Sequence, residues 1–340
     1  MVTKIGLDLG YANITISDTT LEVYREPSVA LIDKNTRRIL SVGRAAISSN
    51  SVDDGILVRP FKNGILYSQE FTASIIDAAL RPLKSKENLR CMVGAPADFN
   101  SKQERELGEM IVESGAESCY FVNRAMAALV GAGYKPTISA VSVNIGASHT
   151  EVLVVYKGEV LYASTVPIGG ENFDEAVRDY ILQQGDFTIS LLDARAIKEE
   201  IGSVWGGKNA EPITISGTLA LTGNRIKMSI GSTDILGVFE DPLYKLLSAI
   251  ADGVKKIPTD CVEEIFANGI ILSGGGALLH GLDKMVEKVF NIGVTVAKNP
   301  MDAVAAGLSV INSFAPSKIR GNYKNITEKI AKYYEENSKK

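Results

Sequence analysis

The sequence predicts a duplicated α/β protein of two lobes, and three local patterns predict it. The first is Ile5-Gly6-Leu7-Asp8-Leu9-Gly10-Tyr11-Ala12-Asn13-Ile14-Thr15-Ile16, a glycine turn between two β-like runs. The second, Val141-Ser142-Val143-Asn144-Ile145-Gly146-Ala147-Ser148-His149-Thr150-Glu151-Val152, repeats that order about halfway along the 340 residues. Each has an acid or amide, an apolar residue, a glycine and a stretch of small or polar residues. The third is Gly269-Ile270-Ile271-Leu272-Ser273-Gly274-Gly275-Gly276, an apolar strand running into three glycines ahead of a helix. Glycine admits positive φ and lets consecutive backbone N–H groups point at one anion, and an acid just before the turn can hold a hydrated divalent cation. Two such turns facing one ligand make a phosphate clamp, and the three glycines let a flat base and ribose approach the backbone.

Each element follows from its pattern in turn. After the first strand pair, strands are expected over 26–32 and 38–42 around the polar turn Asp33-Lys34-Asn35-Thr36. Helical spacing occupies 71–83, a buried strand 89–95, and an amphipathic helix 103–114 capped by Asn100 or Ser101. A short strand, 120–123, feeds a helix over 125–131. The second half repeats this logic with a hairpin over 141–155, a strand near 159–166, the Gly169-Gly170 turn and a helix over 173–183. Residues 193–203 read as a helix, and 212–234 as strands with turns at Gly217 and Gly223-Asn224. Helices over 243–257 and 262–266 precede the return to the main sheet at 269–272. The domain reading is lobe I over 1–140 with a small insertion at about 33–75 and a return at 311–320, lobe II over 141–310 with an insertion at about 185–240, and a Lys-rich tail over 321–340. From Ser317 on the chain carries seven basic and three acidic residues, with Ile326, Ile330 and Tyr333 spaced for one short amphipathic helix, marginal as a membrane-surface anchor, and the expectation is a solvated end rather than a docking or membrane-surface segment.

Composition bounds the function. A formal net charge of −4 argues against nucleic acid as a bulk partner, since phosphate backbones need a basic face. No run approaches the ~18 apolar residues of a membrane span, and the first strand begins too early for a signal peptide, so a cytoplasmic protein is expected. Cys91, Cys119 and Cys261 are odd in number and scattered, which favours reduced structural thiols. With only His149 and His280 besides them, zinc-ligand spacing is absent.

Strand, hairpin, hairpin and strand–GGG–helix in this order resemble the actin-like ATPases. Arg25-Glu26-Pro27-Ser28-Val29, Arg59-Pro60-Phe61-Lys62-Asn63-Gly64-Ile65, Gly169-Gly170-Glu171-Asn172-Phe173-Asp174, Ile197-Lys198-Glu199-Glu200-Ile201-Gly202 and the segment from Gly274 to Leu282 together resemble the MreB rod-shape filament family over nearly the whole chain. The resemblance implies an actin-like (ribonuclease H-like) fold in which each lobe is a mixed sheet flanked by helices, with ATP or ADP and Mg²⁺ in the cleft between them. It implies that Asp8 holds the metal and that Gly10, Tyr11, Ala12, Asn13, Gly146, Ala147, Ser148 and His149 form the phosphate turns. Gly169 and Gly170 with Asp174 would close the cleft, Lys198, Glu199 and Glu200 would reach the nucleoside, and Gly274, Gly275 and Gly276 would seat the base.

This chain departs from the family at the reaction centre. Tyr11 stands where a small hydroxyl residue is usual, Asn144 where the family has an acid, Ala147-Ser148 where it is glycine-rich, and His149 where it has threonine. Arg124, in Asn123-Arg124-Ala125, stands where the family's second acid places the attacking water. Asn144 is no general base, and Arg124 cannot orient a water as an acceptor, though it could pair with the terminal phosphate or turn out to solvent. Loss of general-base help removes ~10²–10⁴ in rate. The resemblance therefore implies a nucleotide-dependent filament protein, cell-shape or organising, with weak or lost hydrolysis. Its partner would be itself, in paired head-to-tail protofilaments, with a membrane-surface or membrane-protein partner left open. The alternatives are an active filament ATPase with other water-placing residues, a filament that positions organelles or plasmids, and a non-polymerising ATP-binding adaptor. The loop 85–90 is mostly charged, which disfavours direct membrane insertion there.

Overall fold

The two glycine turns lie at equivalent places in two separate sheets. The computed structural model describes residues 2–20, 22–49, 55–62, 65–66, 68–83, 88–185, 187–208, 211–315 and 323–338. The loop segment 85–87, Asn63-Gly64 of one family block, and 316–320 of the expected return to lobe I lie outside them.

The first sheet has six strands in the order Tyr323–Asn325, Ser118–Asn123, Leu89–Ala95, Thr3–Leu9, Asn13–Asp18, Val23–Pro27. The second has five, Glu159–Val166, Thr150–Tyr156, Ala140–Ile145, Ile270–Ser273, Val294–Val296. In each, the glycine turn joins an antiparallel pair whose first strand runs parallel to its other neighbour: Thr3–Leu9 beside Leu89–Ala95, and Ala140–Ile145 beside Ile270–Ser273. Leu89–Ala95 is buried at every residue, as a strand between parallel neighbours should be. Two small three-stranded sheets hang from the main ones. One joins Ala30–Asp33, Ile39–Val42 and Gly55–Val58, and the other joins Phe187–Thr188, Ile213–Leu219 and Arg225–Ile230.

Helix positions follow their caps. Ser101–Glu113 starts where Asn100 accepts from the Lys102 and Gln103 amides and Gln103 returns the bond, a reciprocal cap that fixes the first turn. The expected turn at Gly217 is instead inside the strand Ile213–Leu219, where a Cβ would lie 2.5 Å from Thr188 O and 2.6 Å from the Phe187 ring. That glycine lets two strands of the small sheet close over an aromatic ring.

The lobes are joined where the helices Arg124–Gly131 and Ala303–Phe314 cross at glycines. A Cβ on Gly131 would lie 1.8 Å from Ala303 O, and one on Gly307 1.8 Å from Ala127 O, so the two backbones touch directly. The second helix already lies on the first sheet, with Gly6 against Ala305 O and Ser309 N. The chain's return to that sheet thus begins at Ala303 rather than at 311.

The expectation of a solvated tail is corrected. Tyr323–Asn325 adds a parallel strand to Ser118–Asn123, the Ile326 amide donates to Phe121 O at 2.9 Å, and the helix Ile330–Asn337 follows. Ile326 and Ile330 are buried among residues of both crossing helices, and the Phe314 and Tyr334 rings meet edge to face at 5.0 Å. The apolar spacing read as a marginal surface helix belongs to the core, so those side chains offer no anchor for a membrane. All three cysteines are free and buried, and burial drives the Cys91 and Cys119 thiols up, Cys119 to about 12. No helix among the described residues is long and apolar enough to cross a membrane.

Candidate functional site

Both glycine turns are closed by the same bond. The Gly10 amide donates to Asn13 O at 3.0 Å, and the Gly146 amide to His149 O at 2.9 Å. The amides of Tyr11, Ala12, Ala147 and Ser148 fall between strands, and among the described residues they donate to no acceptor. They are the unspent donors that an anion between the turns would need. Behind the second turn, the Gly170 and Glu171 amides donate to Gly146 O and Ala147 O, and a Cβ on Gly169 would lie 2.6 Å from Ala147 O.

The turns open onto a cleft of about 460 Å³, within the range of small-molecule sites. Its lining brings together Asp8, Gly10 to Asn13, Arg124, Asn144, Gly146, Ala147, His149, Gly170, Lys198, Glu199 and Gly274 to Gly276. Ser148, Gly169 and Glu200, expected to contact the ligand, are not in that wall. Ser148 is turned inward onto His149, Gly169 supports the turn from behind, and Glu200 faces solvent. Buried Asp174 does not itself line the cleft. It holds two cations at the edge, with Arg195 Nε donating at 3.0 Å and Lys198 Nζ 2.5 Å away, and Lys198 also donates to Gly170 O.

The three consecutive glycines have unequal roles. Gly274 has φ +78° and its Cβ would lie 2.3 Å from Ile145 O, while a Cβ on Gly276 would lie 2.2 Å from Ile145 Cγ2. Gly275 is exposed in the cleft, and a Cβ there would meet nothing closer than Met301 Cγ at 4.0 Å.

Arg124 does not turn out to solvent, one of the two sequence alternatives, but is held by protein groups. Asn123 caps the helix, accepting from the Met126 amide, and the Arg124 side chain turns inward to an exposure of 5%. Its Nε donates to Asp8 Oδ1 at 2.8 Å, one terminal nitrogen to His149 Nε2 at 3.0 Å and Glu151 Oε1 at 3.4 Å, and the other to Leu9 O at 3.1 Å and Gly94 O at 3.4 Å. Each N–H of the guanidinium fork thus has an acceptor. Because arginine only donates, His149 Nε2 accepts and Nδ1 carries the proton toward Ser148 Oγ at 3.1 Å. Burial works to lower the Arg124 pKa, but the Asp8 and Glu151 carboxylates outweigh it and the net shift is upward. Burial likewise pushes the Asp8 carboxyl up, and the guanidinium opposes that push.

Asn144 is buried, and its oxygen accepts from Ser273 Oγ at 3.2 Å. Across the hairpin it pairs with Glu151, fully buried, whose Oε2 has no partner among the described residues. Glu151 escaped the sequence reading. The only signal was one acid in the apolar run Val152-Leu153-Val154-Val155 that it introduces. Tyr11, which stands where a small hydroxyl residue is usual, donates its hydroxyl to Glu171 Oε1 at 3.0 Å, across the cleft, and Arg59 lies 4.9 Å over its ring. Arg25 likewise reaches Asp302.

The expected magnesium site does not fit these residues. Mg²⁺ requires oxygen ligands in near-octahedral geometry. Asp8 is already ion-paired with Arg124, and Asn144, which stands where a second acid would be, is neutral with its oxygen in use.

A duplicated pair of mixed sheets, two facing glycine turns and a glycine-lined cleft at their junction define an actin-like two-lobed protein. A sequence model of the MreB/Mbl protein family matches residues 2–318, and the chain belongs to that family. It is 29% identical over 316 residues to the cell shape-determining protein Mbl of Bacillus cereus, covering 90% of this chain and 95% of the relative. It is 29% identical over 317 residues to the cell shape-determining protein MreB of Escherichia coli, covering 89% of this chain and 91% of the relative. The fold resembles the crystal structure of MreB5 of Spiroplasma citri bound to ADP, with TM-score 0.87, 24% identity and coverage of 92% of this chain and 97% of that one. It also resembles the MamK double helical filament, with TM-score 0.78, 19% identity and coverage of 93% and 100%.

Proposed function

We propose that the cleft binds ATP and ADP, that the bound chain assembles head to tail with copies of itself into paired protofilaments, and that it hydrolyses ATP slowly or not at all. The observation that carries this reading is the pairing of two facing turns, each with unspent amides, with an exposed Gly275 beside them. The polyphosphate would lie across the amides of Tyr11, Ala12 and Ala147, and the base over Gly275 between Met301 and Leu278. The ADP-bound relative and the MamK filament support nucleotide binding and self-assembly in chains of this fold. We assign lobe I to 1–140 and lobe II to 141 up to the helix that crosses back at Ala303, with the ligand holding the angle between them.

Slow hydrolysis rests on Arg124 and Asn144. An attacking water needs an acceptor to orient it and take its proton. Arg124 offers only donors, all committed, and Asn144 is not a base. Electron microscopy of the purified chain with and without ATP, paired with a phosphate-release assay, tests the reading. ATP-dependent filaments with phosphate release far below that of ordinary actin-like ATPases are expected. Absence of filaments in both conditions, or rapid release, would overturn the corresponding part.

A further inference from the structure

We propose that this cleft binds its nucleotide without a divalent cation, because the Arg124 guanidinium takes the place at Asp8 that a metal ion would need. The inference rests on the nucleotide-binding reading above and deepens it. Asp8 is the carboxylate in the cleft wall that lies at the end of the strand feeding the first glycine turn, two residues before Gly10. Its Oδ1 is held by Arg124 Nε at 2.8 Å, and the same guanidinium bonds Leu9 O, Gly94 O, His149 and Glu151. The cation is therefore fixed to the first sheet on one side and to the second hairpin on the other, and it lines the cleft.

A magnesium ion at Asp8 would have to share the carboxylate with that guanidinium, which sets a dication beside a buried arginine. The like charges repel, and pulling the arginine away to relieve them would break a buried pair, which is strongly unfavourable. No neighbour compensates. Asn144 gives the ion no charge, and its oxygen already accepts from Ser273. The other cations of the wall cannot move in to help, since Lys198 and Arg195 are both held on Asp174 and Arg25 on Asp302. What faces the phosphates is a set of donors, the turn amides and a fixed guanidinium charge behind them, and donors bind an anion with no metal to bridge it.

The test is calorimetric titration of the full chain with ATP, once in excess EDTA and once in excess MgCl₂. The two dissociation constants should agree within about threefold. A loss of more than about tenfold in EDTA would overturn the inference while leaving the nucleotide reading standing. Absence of binding in both conditions would overturn the nucleotide reading and this inference with it. A second arm uses Arg124→Gln, which keeps donors at similar length but removes the charge. Its affinity in EDTA should fall about tenfold or more, with MgCl₂ restoring part of the loss. Unchanged affinity in EDTA for a folded Arg124→Gln chain would show that the guanidinium does not stand in for the metal, and if that variant fails to fold, the unmodified chain decides the question alone.

Discussion

A Cβ on Gly274 would sit 2.3 Å from Ile145 O on a backbone with φ +78°, whereas one on Gly275 would enter open cleft. The two substitutions should therefore separate stability from binding. Gly274→Ala should destabilise the protein by about 2 kcal/mol or more, read as a shift in the urea midpoint, because both the left-handed backbone and the contact with Ile145 penalise a side chain. Gly275→Val should unfold like the parent and lose about tenfold or more in ATP affinity by calorimetry. Tyr11 makes a different kind of prediction. Burial first, then the Glu171 carboxylate and its hydrogen bond, raise the phenol from 10.0 to about 12. The folded pKa lies above the unfolded one, so the contribution of this contact is whole below about pH 10 and is lost as pH rises through about 12. The stability difference between the parent and Tyr11→Phe should shrink across that window, and a difference constant from pH 8 to about 12 would refute the bond.

The C-terminal elements gain their stability from the body. Ile330 is fully buried in the cluster shared by the crossing helices, and truncating it leaves a cavity that the touching backbones at Gly131 and Gly307 cannot collapse to fill. Ile330→Ala should lower stability by about 2–5 kcal/mol in denaturant unfolding. Truncation after Phe314 should go further and reduce soluble yield, because it removes the edge strand Tyr323–Asn325 and uncovers Ile311 and Phe121 backbone groups that Ile326 meets. Full solubility and unchanged melting of the truncated chain would place these residues outside the folding unit.

At the level of the whole molecule, Arg124 and Tyr11 act alike. Each starts in the first lobe and ends on a second-lobe carboxylate, Glu151 and Glu171. Both bonds favour a closed cleft, which the proposed assembly needs. Restoring acids tests the chemistry. Arg124→Glu with Asn144→Asp adds two carboxylates to Asp8 and Glu151, the two that Arg124 now bridges, a set suited to a hydrated cation. Phosphate release by the double variant should become Mg²⁺-dependent and exceed that of either single change by more than their product, since groups at one centre are not additive. A folded, ATP-binding double variant with no gain would show that these positions do not silence hydrolysis.

The duplicated α/β architecture was legible in the chain because its signals are local. Period-two apolar runs, Gly10 and Gly146 in their turns, and Asn100 ahead of Ser101–Glu113 act over a few residues. The strand over 89–95 and that over 159–166 follow from such patterns alone. The partners of Arg124 do not, for Asp8 lies 116 residues away and Glu151 27, and a charge in a sequence carries no mark of what it will face. Nor could helical spacing at Ile326 and Ile330 separate a surface helix from a core one, since both need the same apolar stripe. Which acid pairs with which cation, and whether the tail is inside or out, depended on the distance at which two sheets and two crossing helices came to rest.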